Sequence, residues 1–221
     1  MVKTYDSTIL ELFSRSILED EFQDLSQNDN LYGGKLSGNL HLTRLLNCHK
    51  LIKNPTLNIL DVGSGSSKLE VFKDAVYYSL EPNPNRNKGT KVIEGWAENI
   101  DTNIIFDLLV CWGVFCFVRS VPETLISFNK RLHIGGYLVM DIVTKTIFPL
   151  AQTSDKDSFI RYCSLYGFQL EEEVEFITCG SHYRVGLRLK KFENFDIRRL
   201  RQPQSKGGVN NFFEERDFYL L

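Results

Sequence analysis

Between residues 57 and 190, short apolar runs alternate with helical stretches, until the last two runs are separated only by Cys179-Gly180-Ser181. No other feature of the chain restricts its fold as much. Apolar runs linked by helices are parallel strands, because a parallel pair needs a crossover and a helix supplies it. Three residues are too few for a crossover, so the final pair must be an antiparallel hairpin. Strands are expected at residues 58–62, 76–80, 91–94, 106–111, 137–142, 168–178 and 182–190. The expected fold is α/β, a mostly parallel seven-stranded sheet that ends in an antiparallel hairpin of its sixth and seventh strands, with helices on both faces. One linking helix, over 121–132, starts at the capping box Ser120-x-x-Glu123 and stops before Gly135-Gly136; another, over 155–166, stops at Gly167.

Two segments flank this unit. Residues 1–50 carry Ile9, Leu12, Phe13 and Ile17, then Leu42, Leu45 and Leu46, at helical spacing on either side of the glycine-rich stretch Tyr32-Gly33-Gly34-Lys35-Leu36-Ser37-Gly38. They read as a helical lid or cap over a main domain at 51–192. Residues 193–221 form a C-terminal extension with the basic segment Arg198-Arg199-Leu200-Arg201. A chain of 221 residues can bury one sizeable core, so one domain with a cap and a tail is expected.

A net charge of -2 creates no bulk field to gather nucleic acid or an anionic membrane. No apolar run approaches the ~20 residues of a spanning helix, and the first residues contain no apolar targeting core, so a cytoplasmic protein with no membrane partner is expected. The five cysteines are odd in number and contain no Cys-x-x-Cys pair, which suits reduced thiols. His41, His49, His133 and His182 have no zinc-ligand spacing, and no Gly-x-Ser-x-Gly elbow occurs. Neither a metal nor a hydrolase nucleophile is expected.

The chemistry gathers around Asp61-Val62-Gly63-Ser64-Gly65, which follows the apolar run 57–60 and precedes a helical stretch, the strand–turn–helix context of a nucleotide loop. Glycines let such a backbone turn tightly and lie against a flat ligand, while the following amides donate to an anionic group. Glu81 ends the second strand, where an acid accepts the hydroxyls of an adenosine ribose. A dinucleotide dehydrogenase would need its third glycine at position 68, which is Lys68.

Four segments in order, Ile59-Leu60-Asp61-Val62-Gly63-Ser64-Gly65, Ser79-Leu80-Glu81, Phe106-Asp107-Leu108-Leu109-Val110 and Leu132-His133-Ile134-Gly135-Gly136-Tyr137, resemble successive motifs of Rossmann-like class I S-adenosylmethionine-dependent methyltransferases. The resemblance implies S-adenosylmethionine as cofactor, with Asp61, Gly63, Ser64 and Gly65 around its methionine part and Glu81 on its ribose. It also implies that Trp96 and Ala97 frame the adenine. Trp96 departs from the acid that is common there; its indole either stacks on the base or packs under a loop. Cys111 and Trp112 match the wall beside the donor methyl, and Ser67 replaces the usual third glycine.

Methyl transfer is an in-line displacement that chiefly needs alignment and exclusion of water, so a conspicuous catalytic dyad is not required. A small-molecule hydroxyl or amine acceptor is the first expectation. The alternatives are a methyltransferase-like scaffold without activity, and an enzyme acting on RNA or protein through residues 198–201. Cys111-Trp112-Gly113-Val114 stands where a base-methylating enzyme would carry an Asn-Pro-Pro-Tyr-like loop. The hairpin turn should emerge on the ligand-binding edge, which makes His182, titrating near neutral pH, the candidate general base. His133 falls at the opposite edge and is expected to be structural.

Overall fold

The computed structural model describes residues 42, 44–46, 57–64, 75–82, 91–145, 154–178 and 182–198. Most of the expected lid, the Tyr32 to Gly38 stretch, and the extension beyond 198 lie outside the described residues.

The strands are β1 (Asn58–Val62), β2 (Val76–Glu81), β3 (Lys91–Glu94), β4 (Phe106–Cys111), β5 (Leu132–Lys145), β6 (Phe168–Thr178) and β7 (His182–Lys191), with helices α1 (Val121–Arg131) and α2 (Lys156–Leu165). They form one sheet in the order β3-β2-β1-β4-β5-β7-β6. β1, β2, β3, β4 and β5 pair in parallel, and β7 runs antiparallel between β5 and β6. The chain leaves β1 toward β2 on one side and returns as β4 on the other. This reversal opens a crevice beyond the carboxyl ends of β1 and β4.

Because side chains alternate along a strand, the sheet has two distinct faces. Leu60, Val62, Leu109 and Met140 point to one face and pack with Leu125 and Phe128 of α1 and Phe159 and Cys163 of α2. Ile59, Tyr77, Leu108, Val110 and Val139 point to the other and pack with Leu42, Leu45 and Leu46. α1 begins at Ser120, whose Oγ accepts from the Glu123 amide at 3.4 Å, and α2 begins at Asp155, whose Oδ2 accepts from the Ser158 amide at 2.9 Å.

β5 is longer than the expected 137–142. It starts at Leu132, where α1 ends, and takes Gly135 (φ +90°) and Gly136 into the strand. A Cβ on Gly136 would meet the Leu132 side chain at 2.6 Å and the Asp107 carbonyl at 3.1 Å, so Gly136 serves close packing, whereas Gly135 serves the left-handed backbone. The helix end is closed from far along the chain instead. Lys191 Nζ donates to the carbonyls of Asn129 at 2.6 Å and Leu132 at 2.7 Å, placing a cation on the negative end of the α1 dipole.

Candidate active site

The crevice is built first by the turn after β1. Gly63 adopts φ +66°, and its amide donates to the Leu80 carbonyl at 2.7 Å, tying the tips of β1 and β2 together. A Cβ at Gly63 would fall 2.5 Å from a Val114 methyl. Glycine is thus required both by the left-handed backbone and by the loop after β4. Ser64 follows with its hydroxyl oxygen enclosed and without a hydrogen-bond partner among the described residues. Gly65 lies outside the described residues.

Two acids stand at this edge. Asp61 and Glu81 are buried, on neighbouring strands whose register pairs Asp61 with Ser79. The Tyr77 hydroxyl donates to Asp61 Oδ2. Burial pushes the Asp61 carboxyl up to about 7; the Tyr77 hydrogen bond pulls it down, and the charge of Glu81 adds to the rise. Asp61 therefore titrates near neutral pH.

The other wall comes from β4 and its loop. Cys111 is fully buried, and burial, reinforced by Asp141 and Asp61, holds its thiol protonated well above the usual range. Such a thiol is no nucleophile. Trp112 stacks on Phe176 with ring centroids 5.5 Å apart and planes within 6°. Gly186 lets it lie down on the sheet, since a Cβ there would come 2.7 Å from the indole and 2.9 Å from Leu45.

Trp96 is 38% exposed, and the Arg119 guanidinium lies 4.5 Å over its ring. Neither expected role of this residue included that partner. The Arg119 amide also donates to Glu98 Oε1 at 2.5 Å, so this arginine joins both ends of residues 96–98. Ala97 is buried beneath.

His182 pairs with Thr178 at the tip of the hairpin, and its side chain lies outside the described residues. Cys111 registers with Met140 and Met140 with Leu187, so the five residues from 187 to 182 carry His182 roughly 16 Å along the strand past the Cys111 level. His133 is at the opposite edge, with Nε2 3.0 Å from Asp107 Oδ1. A cavity of about 480 Å³ opens near the tips of β5 and β7, lined by Thr144, Lys156, Glu175, Tyr183 and their neighbours.

No protein-family model matches the sequence, and no curated protein does. Solved structures do. The 1,6-didemethyltoxoflavin-N1-methyltransferase of Burkholderia thailandensis, bound to 1,6-didemethyltoxoflavin and S-adenosylhomocysteine, is 11% identical, with a TM-score of 0.65 over 87% of this chain and 93% of that one. The magnesium protoporphyrin IX methyltransferase of Synechocystis PCC 6803, bound to S-adenosylhomocysteine, is 12% identical, with a TM-score of 0.58 over 84% of this chain and all of that one. The N-methyltransferase NodS of Bradyrhizobium japonicum, with S-adenosylhomocysteine, is 15% identical, with a TM-score of 0.54 over 70% and 86%.

The chain has the class I methyltransferase fold. Within that fold, the first-strand turn, Asp61 and Glu81 come together as the sequence spacing suggests, while three neighbours went unnoticed: Tyr77, Asp141 and Arg184. Asp141 carried a signal, a charge inside the apolar run from Leu138 to Val143. Its Oδ1 accepts from the Gly113 amide at 2.6 Å, and its Oδ2 lies 2.6 Å from Arg184 Nε. No helix among the described residues is long and apolar enough to cross a membrane.

Proposed function

We propose that this chain is an S-adenosylmethionine-dependent methyltransferase acting on a small-molecule hydroxyl or amine. The observation that carries this reading is the placement of two buried acids, Asp61 and Glu81, on adjacent strand tips beside a tight glycine turn. The Ser64 hydroxyl, enclosed and unpartnered among the described residues, supports it, because an unsatisfied buried hydroxyl is costly and a ligand in the crevice would satisfy it.

In this reading Glu81 accepts the ribose hydroxyls, and the turn at Gly63 and Ser64 holds the methionine part. Asp61, poised near neutrality, faces a ligand that carries both an ammonium and a sulfonium. When bound, the cofactor supplies an electrophilic methyl on sulfur, open to in-line displacement. Cys111 and Trp112 form a dry wall that limits competition by water. An amine acceptor needs only to arrive neutral. A hydroxyl acceptor gains from a base, and His182 fills that role only for an acceptor long enough to span the distance from the β4 tip to the hairpin tip.

We place the acceptor in the cavity at the β5 and β7 tips. Its volume of about 480 Å³ suits a small molecule, and Thr144, Lys156, Glu175 and Tyr183 combine polar groups with one aromatic ring. The basic segment fits a nucleic-acid partner less well, since Arg198 turns back on Asp196 through contacts of 2.9 and 2.6 Å. Calorimetry with S-adenosylhomocysteine tests the reading directly. Saturable binding is expected, and no heat at millimolar ligand would overturn it. An acceptor screen with labelled S-adenosylmethionine then identifies the group methylated.

A further inference from the structure

One buried charge at the sheet's carboxyl edge belongs neither to the first-strand turn nor to the Trp112 wall. Asp141 sits on β5 one residue past the level of the β4 tip, fully buried, with its two oxygens divided between the loop after β4 and β7. Oδ1 accepts the amide of Gly113 from the loop after β4, and Oδ2 forms an ion pair with Arg184 of β7, 2.6 Å from its Nε. A lone carboxylate in that position would be too costly to bury. Arg184, itself 8% exposed, neutralises it, which lets Asp141 keep a charge-assisted hold on the Gly113 amide.

The geometry at Gly113 shows what that hold accomplishes. Gly113 has φ +79°, a left-handed backbone that other residues adopt only at a cost, yet among the described residues no atom beyond its chain neighbours lies within 4 Å of the place a Cβ would occupy. Its glycine is therefore required by conformation and not by crowding. The next residue, Val114, presses its methyls onto Gly63, where a Cβ would be 2.5 Å away, and the Gly63 amide in turn bonds the Leu80 carbonyl next to Glu81. Arg184, Asp141, Gly113, Val114, Gly63 and Leu80 thus form one unbroken series of direct contacts. It runs across the crevice, from the strand that lines the acceptor-side cavity to the strand that carries Glu81.

We propose that Asp141 is a positioning residue that latches the loop after β4 over the first-strand turn, so that Val114 backs Gly63 and Trp112 lies at the crevice wall. Asp141 acts through the Gly113 amide. The consequence for ligand affinity rests on the cofactor site proposed above, but the latch itself does not.

The test uses the full chain labelled with ¹⁵N-glycine. An amide bonded to a carboxylate resonates far downfield, so the Gly113 signal reads the latch without any ligand. Asp141→Asn keeps an oxygen for Gly113 but loses the charge, and its Gly113 signal should move upfield; Asp141→Ala removes the acceptor, and the amide should also lose protection from exchange. S-adenosylhomocysteine affinity should fall about tenfold in the alanine variant and less in the asparagine variant, in step with the Gly113 signal rather than with the melting temperature. An unmoved Gly113 signal in either folded variant overturns the latch. A released Gly113 with wild-type affinity overturns the positioning role. Should the alanine variant not fold, the asparagine variant decides by the same two readings. If the wild-type protein itself binds no S-adenosylhomocysteine, the proposed function fails, and the Gly113 signal still decides whether the latch exists.

Discussion

The two faces of the sheet are made from alternate residues of the same strands, yet they bury different chemistry. The face under α1 and α2 presents Leu60, Val62, Leu109, Leu138, Met140 and Ile142, and the polar groups buried near it are used by the backbone. Ser127 Oγ accepts from the Ile100 amide, Asn129 bridges Tyr166, Glu193 and Phe195, and Lys191 closes α1. The opposite face buries Asp61, Glu81, Asp141, Arg184 and Arg188. Of these, Arg188 ties the helical segment at Leu45 to the sheet through the Leu45 carbonyl and Glu172, each at 2.8 Å. The rest cluster at the carboxyl edge. Burying charge disfavours folding, and the site proposed above accounts for its concentration at one edge of one face. The first face holds the sheet together; the second concentrates its buried charge at the carboxyl edge, where the proposed site lies.

Phe128→Ala should produce the largest effect and should be confined to stability. Phe128 is fully buried in α1 against the first face, and its removal should cost about 3–5 kcal/mol in denaturant unfolding while leaving S-adenosylhomocysteine affinity unchanged. Lost affinity in a still-folded variant would break the division between the faces. Glu81→Gln should behave oppositely. Calorimetry should show affinity weaker by roughly 1.5–3 kcal/mol, a factor of about 10 to 150, with no loss of stability. An unchanged affinity would put the ribose elsewhere.

What could be read from the sequence follows the same division. Apolar runs report local burial, so β1, β3, β4 and β6 begin and end where the pattern places them. β5 did not, because its start depends on contacts from afar: Leu132 pairs with Phe106 beside a shift of register, and Lys191 caps the preceding helix. At the site, Asp61, Gly63 and Glu81 were legible because each is tied to its own strand end. Asp141 stood out as a charge in an apolar run, but its partners sit elsewhere, Gly113 in the loop after β4 and Arg184 on β7, and nothing local names them. Trp96 shows the same limit. Its spacing marks the segment, while the guanidinium over its ring comes from Arg119, past the end of β4.

The smallest expected effect is the one that separates the faces by pH. Asp61 titrates near 7 in the fold against 3.8 when exposed, so between those values the folded chain retains a proton that the unfolded chain releases. Unfolding then sheds protons, and the contribution of Asp61 to stability falls as pH rises through this window and levels off above it. Asp61→Asn does not titrate, and its amide oxygen still accepts from Tyr77. From pH 6 to pH 8 the wild-type protein should therefore lose about 1 kcal/mol relative to the variant, measured by urea unfolding at each pH. A constant difference would mean that Asp61 is already ionised in the fold, and the second face would then carry its charges without the strain that distinguishes it from the first. Saturating S-adenosylmethionine should shrink the pH dependence more than S-adenosylhomocysteine does. Both ligands carry an ammonium, and only the first adds a sulfonium to favour the ionised acid, so equal shrinkage would place Asp61 beyond reach of the sulfur.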